Sequence, residues 1–250
     1  MGRQRPRFVD VITHVRANRP DIADPAAAIA SRRLTVGGRV VTSPRSLVPT
    51  DAPVSMVPSR PLRGEDKLRV ALDTFGVRVE GRICLDVGAA AGGFTRVLLE
   101  HGAAKILAVD AGHGQLRGSL RGHSRVINLE RTNLAELHRV VPGCWDLEVI
   151  TMDLSYLSVA DAVPQLDELR LASDADLIAL VKPMFELRLG APPTDERSLV
   201  DALDAARRGV ERTSRWSVVG TIPSPVPGAR GAREWLLHAR RIGGSAILGP

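Results

Sequence analysis

The sequence is poor in cysteine, in aromatic residues and in long apolar runs. Its two cysteines, Cys84 and Cys144, fit no metal-binding spacing, so we expect reduced thiols and no metal site. With eight aromatic residues in 250, the core must be built mainly from Val, Leu, Ile and Ala. No run reaches the ~18 apolar residues of a membrane span, and no apolar segment follows the N-terminal arginines as in a secretory signal. The sequence thus predicts a cytoplasmic protein with no membrane partner.

Lysine is also scarce, since Lys67, Lys105 and Lys182 stand against 31 arginines. Arginine is planar and effectively always charged, whereas lysine is a compact point charge whose pKa can fall far enough for it to act as a base. Lys182 follows the apolar run 179–181, at the carboxyl end of a predicted strand, where open α/β sheets commonly place their chemistry. Lys182 is therefore a candidate for a chemical role.

The excess positive charge lies in the first quarter of the chain. Residues 1–65 hold eleven arginines and five acidic residues, while residues 66–250 hold 23 basic and 23 acidic residues. A basic segment of this kind is either a solvated surface or an electrostatic footprint for a phosphate backbone. The concentration of charge favours a nucleic-acid partner.

Residues 1–58 are predicted to form a small α+β module. An apolar period that includes Phe8 predicts a first helix, and Asp24-Pro25 predicts the N-cap and first turn of a second helix over 26–31. The runs 34–36 and 40–42, joined by two glycines, predict a hairpin. Prolines near residues 53–61 indicate a linker over 59–66.

Residues 67–250 alternate predicted strands and helices, which indicates a doubly wound, mostly parallel α/β sheet. We predict strands over 82–87, 106–110, 125–129, 147–152, 176–181, 217–222 and 234–239. We predict helices over 67–75, 94–101, 115–120, 134–140, 159–169 and 198–212.

A glycine-rich loop at 88–93 joins the first of these strands to a helix. The dinucleotide-binding fingerprint has glycine where Ala90 stands, because the backbone must approach the pyrophosphate closely there. Ala90 therefore disfavours a pyrophosphate ligand, whereas S-adenosylmethionine does not require this close approach. The candidate cofactor contacts are Gly88, Ala89, Gly92, Gly93 and Phe94, with Asp86 holding the ligand's amino group directly or through water. Asp110 ends the next strand, where an acid commonly accepts hydrogen bonds from ribose hydroxyls. The alternative is a glycine-rich turn with two ordinary acids.

Asp153 and Lys182 follow neighbouring predicted strands, so their side chains can face one crevice. Lys67 opens a helix and Glu234 begins the last predicted strand. A lysine between two acids is ordinarily a structural salt bridge. Four such groups around a predicted cofactor pocket favour catalysis instead.

Six segments resemble the TlyA (hemolysin A) family of FtsJ-like ribosomal RNA 2′-O-methyltransferases. They are GGFTRVLL (92–99), AVDAGHGQL (108–116), ERTN (130–133), MDLSYLS (152–158), LVKPMFE (180–186) and PSPVPG (223–228). The resemblance implies a Rossmann-like class I methyltransferase fold over 67–250 and an N-terminal S4-like RNA-binding module over 1–58.

The resemblance also implies roles for individual residues. Lys182 is the candidate base for a ribose 2′-hydroxyl and Asp153 orients it, while Lys67 and Glu234 position the nucleotide. S-adenosylmethionine is the implied cofactor, with Glu130, Asn133 and Asp153 added to its contacts. The implied partner is RNA, ribosomal RNA or a ribosomal subunit, with cytidine as the nucleotide. The candidate RNA contacts are Arg5, Arg7, Arg32, Arg33 and Arg39.

The sequence departs from the family pattern in the cofactor loop, where Ala90-Ala91 replaces Ser-Thr, and at Met184, where the family has Gln. The loop 187–195 is shortened, and the basic residues expected near Asp24 are absent. Two rival functions remain open. A small-molecule O-methyltransferase predicts an apolar substrate pocket, and an RNA-binding protein with a vestigial fold predicts no cofactor binding.

Overall fold

The computed structural model describes residues 7–30, 32–57, 62–213 and 215–243. They fall into two units, of which one lies within Met1–Arg60 and adds Arg117–His123, and the other combines Pro61–Leu116 with Ser124–Pro250. Each unit has its own cluster of buried apolar side chains. Among the described residues, no helix combines the length and the apolar character that crossing a membrane requires.

The smaller unit contains short elements: β1 (Phe8–Asp10), α1 (Val11–Asn18), α2 (Pro25–Ala30), β2 (Leu34–Val36), β3 (Arg39–Val40), β4 (Leu47–Pro49) and β5 (Val54–Met56). β1 pairs with β4, and β2 lies between β3 and β5, all antiparallel. The Asp24 carboxylate accepts a hydrogen bond from the Ala27 N–H at 2.9 Å and so caps α2. Gly37 and Gly38 take positive φ angles of 58° and 76° in the turn between β2 and β3. The predicted cap and the predicted hairpin are confirmed.

Three strands of this unit are absent from the sequence prediction. Phe8, which the apolar period assigns to the first helix, lies in β1, so that assignment is wrong. β5 falls in the proline-containing stretch and pairs with β2 through Leu34 and Met56. A three-residue strand is too short to show an alternating pattern, and its pairing with a partner strand stabilises it. The predicted linker lies outside the described residues as far as residue 61.

A seven-stranded sheet forms the centre of the larger unit. Its strands are β6 (Ile83–Val87), β7 (Lys105–Asp110), β8 (Val126–Glu130), β9 (Leu147–Met152), β10 (Leu171–Val181), β11 (Trp216–Pro223) and β12 (Trp235–Arg241). Their order is β11-β12-β10-β9-β6-β7-β8. Strands β6 to β10 run parallel, and β12 is antiparallel to both of its neighbours. The predicted doubly wound α/β sheet, with all seven strands, is confirmed.

The helices are α3 (Arg63–Phe75), α4 (Gly93–Glu100), α5 (Gly118–Arg121), α6 (Leu137–Val140), α7 (Val159–Ala162), α8 (Pro183–Glu186) and α9 (Glu196–Glu211). α5 belongs to the smaller unit. α3 begins at Arg63, before its predicted start at Lys67. The predicted helix over 159–169 is instead α7 followed by a 3-10 segment, Val163–Glu168, because Pro164 lacks the N–H that an α-helix would need there.

The candidate site residues lie along one edge of the sheet, at or just after the carboxyl ends of its parallel strands. Parallel strands place their carboxyl ends on the same edge, which brings together Gly88, Asp110, Asp153 and Lys182. β12 runs the other way, with Trp235 opposite Val181. The amino end of β12, which Glu234 precedes, therefore meets the same edge.

Candidate active site

Gly88 locks the glycine-rich loop against the end of β9. Its φ is +84°, and a Cβ at this position would lie 2.4 Å from the Asp153 carbonyl oxygen. The Asp153 N–H also donates to the Val87 carbonyl at 2.9 Å. Only glycine fits this close approach, so the loop and Asp153 hold a fixed relative position.

Asp110 links two loops at the end of β7. Its Oδ2 accepts a hydrogen bond from the Ala90 N–H at 2.8 Å, and its Oδ1 accepts one from the Gly112 N–H at 2.6 Å. Ala90 takes a φ of 45°, an uncommon left-handed conformation for a residue with a side chain. The carboxylate thus holds the glycine-rich loop in a strained shape, and each of its oxygens keeps a second lone pair.

A cavity of about 210 Å³ opens beside Asp110. Residues at the ends of four strands form its walls. They are Val87, Gly88 and Ala90 at the end of β6; Val109, Asp110, Ala111, Gly112 and Gln115 around the end of β7; Thr132 and Leu134 after β8; and Asp153, Leu154, Ser155 and Tyr156 after β9. Its lining mixes apolar side chains with a few polar groups, as the lining of small-molecule and cofactor sites does. The crevice at the carboxyl ends of parallel strands is also where open α/β sheets bind ligands.

Asp86 lies beneath the loop and is fully buried. Its carboxylate accepts hydrogen bonds from the Thr95 hydroxyl at 2.6 Å and the Thr151 hydroxyl at 3.0 Å. Burial raises the pKa of Asp86 to about 6, and the two hydroxyls partly oppose that rise. In this structure Asp86 joins β6, α4 and β9.

Two lysine–carboxylate pairs stand at the rim. Lys182 Nζ lies 2.6 Å from Asp153 Oδ1, and both side chains are partly exposed. Lys67 Nζ lies 2.6 Å from Glu234 Oε2, and both side chains are buried. Asp153 borders the first cavity, while Lys182 and Glu234 border a second one. The four predicted catalytic residues therefore meet as two ion pairs around adjoining cavities.

Close backbone contacts position the buried pair. Gly64, at the start of α3, packs against the Phe94 ring, where a Cβ would lie 3.3 Å from the ring, and this contact fixes the helix that carries Lys67. On the other side, a Cβ at Gly228 would lie 2.1 Å from Glu234 Oε1. The loop before β12 thus folds directly over the Glu234 carboxylate.

Residues 62–241 match the model of the FtsJ-like methyltransferase family. The chain belongs to this family.

The methyltransferase is similar to relatives across that region. It is 42% identical over 187 residues to the 16S/23S rRNA (cytidine-2′-O)-methyltransferase TlyA of Mycobacterium tuberculosis, which covers 71% of this chain and 67% of that protein. It is 34% identical over 189 residues to hemolysin A of Brachyspira hyodysenteriae, which covers 70% of this chain and 75% of that one. The chain is also similar to the solved structure of a Streptococcus thermophilus protein described as a hemolysin. The match covers 96% of this chain and 90% of that chain, with 25% identity and a TM-score of 0.68. The resemblance to the TlyA (hemolysin A) family is confirmed.

The remaining predicted cofactor residues of the methyltransferase lie in different places. Ala89, Gly93 and Phe94 line a groove beside the loop, and Gly92, with a φ of 91°, precedes α4 as its N-cap. Glu130 pairs with His113 at 3.1 Å.

Several cavity residues are missing from the sequence prediction. Thr132 and Leu134 line the cavity, rather than Asn133 between them. Gln115 lines it too, and its amide folds over Gly112, where a Cβ would lie 2.0 Å away. Gln115 and Thr132 both lie in segments that resemble the family, so the resemblance is the sequence feature that could have identified them as cavity residues. Which residue of each segment faces inward depends on loop conformation.

Glu186, a half-buried acid, supports the segment after Lys182. Glu186 ends α8, and its Oε1 accepts a hydrogen bond from the Val159 N–H at 2.6 Å, at the start of α7. Burial raises the pKa of Glu186 to about 7, and the backbone hydrogen bonds oppose that rise. Glu186 thereby anchors the residues that follow Lys182 to the helix layer.

The predicted RNA contacts are mostly exposed on the smaller unit. Arg7, Arg32 and Arg39 are exposed, and Arg32 takes a positive φ of 54°. Arg33 is half-buried, and its Nε donates to the Val57 carbonyl at 3.4 Å. Arg5 lies outside the described residues. Exposed guanidinium groups of this kind are available to phosphate oxygens.

Proposed function

We propose that this chain transfers the methyl group of S-adenosylmethionine to a ribose 2′-hydroxyl of ribosomal RNA, with cytidine as the nucleotide. The relative from M. tuberculosis is named for that reaction. The observation that carries the proposal is the 2.6 Å contact between Lys182 and Asp153, because Asp153 also borders the cavity at the carboxyl ends of the parallel strands. A proton acceptor next to a methyl-donor site is what 2′-O-methylation requires.

The lining of the cavity fits S-adenosylmethionine in its chemistry. The spare lone pairs of Asp110 suit two ribose hydroxyls, and Val109 and Leu134 offer apolar contacts to an adenine ring. Ala90 narrows the loop where a dinucleotide fold would seat a pyrophosphate. When bound, the cofactor supplies a methyl group that its sulfonium centre already activates.

The chain's own groups orient the hydroxyl and take its proton. Lys182 first releases one proton to solvent, because an ammonium group has no lone pair. Its neutral Nζ then accepts the hydroxyl proton, and Asp153 accepts a hydrogen bond that holds this nitrogen. Lys67 and Glu234 neutralise each other's charge, and Glu234 borders the second cavity, where the nucleotide is positioned. No metal is needed for these roles.

Arginines on the smaller unit supply affinity for the RNA backbone. Residues 1–65 carry the whole excess of positive charge, and contacts between arginine and phosphate do not depend on sequence. The role of these residues is therefore to hold the RNA rather than to choose the nucleotide.

Methyl transfer to purified ribosomal subunits tests the proposal. The protein is incubated with radiolabelled S-adenosylmethionine and with small or large subunits from cells that lack it, and the RNA is digested to nucleosides for mass spectrometry. We expect 2′-O-methylcytidine at a defined position. Label that appears only on a base, or not at all on either subunit or on the free RNAs, would overturn the proposal.

One observation favours a small-molecule O-methyltransferase as a second candidate. The second cavity, beside Lys182, has walls formed largely by apolar residues such as Met184 and Phe185. This candidate predicts that removal of residues 1–60 leaves activity on its substrate intact. Loss of transfer to RNA by the shortened chain, with unchanged cofactor affinity, supports the RNA reaction instead.

A further inference from the structure

The second cavity has a volume of about 360 Å³ and lies beside Lys182 and Glu234. Ser155 lines both cavities, so the two adjoin. Pro183, Met184, Phe185 and Pro192 form its apolar walls, with Lys182 and Glu234 at its inner end. This apolar cleft is larger than a ribose needs.

Arg230 lines this cleft, and its positive charge is available to a ligand. It belongs to the short turn Ala229–Gly231, and its φ of 56° and ψ of 26° are left-handed. Such a conformation costs free energy in a residue with a side chain, and residues of this kind cluster at functional sites. Within the described chain the Arg230 guanidinium has no ion-pair partner, whereas nearby Arg233 pairs with Glu196 and lies over the Trp235 ring.

We propose that this cleft holds the base of the ribonucleotide being methylated and that Arg230 reads its hydrogen-bonding edge. The inference rests on the proposed function. A ribose whose 2′-hydroxyl reaches Lys182 carries its base on the adjacent carbon, so the base must lie within a few ångströms of the rim. The flat faces of a base pack well against apolar side chains such as Met184 and Phe185, and its edge then needs polar partners.

The chemistry of Arg230 sets which edge it accepts. A guanidinium has five donors and no acceptor, arranged as a rigid fork. Cytosine presents two adjacent acceptors, N3 and O2, that match the fork, whereas uracil presents an N–H donor at N3. Two N–H donors that face each other repel, and both stay unpaired where the bound base excludes water from the cleft, which costs binding free energy. Arg230 therefore favours cytidine over uridine at the methylated position.

The experiment compares Arg230→Asn with the wild type on two ribosomal RNA fragments that differ only by cytidine or uridine at the target position. Asparagine tolerates the left-handed backbone and removes the charge. We expect the ratio of kcat/KM for cytidine over uridine to fall at least about tenfold, with an unchanged Kd for the cofactor. Arg188→Asn is the matched control, because Arg188 is exposed, has a φ of 54° and lines neither cavity.

Three outcomes overturn this inference, and they can be told apart. If the wild type methylates no RNA, the proposed function fails and this inference falls with it. If the wild type methylates RNA but Arg230→Asn keeps the ratio within about twofold, only the role of Arg230 fails. A ratio that falls equally in Arg188→Asn would also overturn it, because the effect would then follow net charge.

Discussion

Lys67 and Glu234 form a buried ion pair, with 2.6 Å between Nζ and Oε2, although 167 residues separate them in the chain. The pair ties the start of α3 to the residue that precedes β12. Buried pairs add little net stability compared with apolar packing, but removal of one partner leaves an uncompensated charge in the interior. The geometry of the site around Glu234 and the second cavity thus depends on both residues being present.

We expect Lys67→Met or Glu234→Gln alone to lower the free energy of unfolding by about 3–5 kcal/mol, the range for a broken buried pair. The double variant Lys67→Met/Glu234→Gln should recover a large part of that loss, because neither charge is then left alone. Chemical denaturation of all four proteins gives the coupling free energy. Simple additivity of the two losses would show that the residues do not act as a pair.

Lys182→Arg should fold and bind cofactor but lose methyl transfer by about 10²–10⁴-fold, the usual contribution of a general base. The charge is kept, while a group that can give up a proton is lost. Single-turnover transfer with labelled cofactor measures the rate, and Lys105→Arg on β7 is the control. A rate above about a tenth of wild type, a barrier change under about 1.4 kcal/mol, would exclude Lys182 as the base.

Asp110→Ala should weaken S-adenosylmethionine binding by about 1.5–3 kcal/mol, the range for hydrogen bonds to a charged group. The same carboxylate holds the Ala90 and Gly112 N–H groups, so the loop loses support as well. Calorimetry with cofactor alone measures the change. Asp146→Ala, at an exposed ion pair away from the cavity, is the control. An unchanged Kd would show that Asp110 does not bind the ribose of the cofactor, and Glu130 would be the next candidate for that role.

The pH dependence of stability should carry the signature of Asp86. Its pKa is raised from 3.8 to about 6 in the folded protein, so the folded state holds that proton more tightly than the unfolded chain. Its contribution to stability is therefore greatest below pH 4 and is lost as pH rises through 6, by about 3 kcal/mol in all. Asp86→Asn should gain stability relative to wild type over that window in denaturation at several pH values. A difference that stays constant with pH, or that also appears in Asp174→Asn, would contradict this.

Arg32→Ala/Arg33→Ala should reduce the slope of log affinity against log salt by about one to two units if both side chains meet phosphate. Binding of a ribosomal RNA fragment over a range of salt concentrations measures the slope. The exposed pair Arg207 and Arg208 on α9, changed in the same way, is the control. A slope within error of wild type would identify Arg32 and Arg33 as solvated charges and would strengthen the small-molecule alternative.

The sequence alone was sufficient for the features that short stretches encode. Apolar runs alternating with amphipathic segments predicted the seven strands of the sheet, since each strand shows its own pattern. The glycine-rich loop and Asp24-Pro25 were readable because a turn or a cap depends on a few adjacent residues. Lys182 and Asp153 were found because parallel strands must end on one edge.

Only the tertiary structure decided what depends on distant pairing. β12 runs antiparallel, and this reversal brings Glu234 to Lys67. Three-residue strands such as β5 are stabilised by pairing with another strand, so no local sequence pattern predicts them. The inward position of Thr132 and the strained turn at Arg230 follow from how loops pack. These features arise when the chain closes on itself, because contacts between distant residues can outweigh local preference.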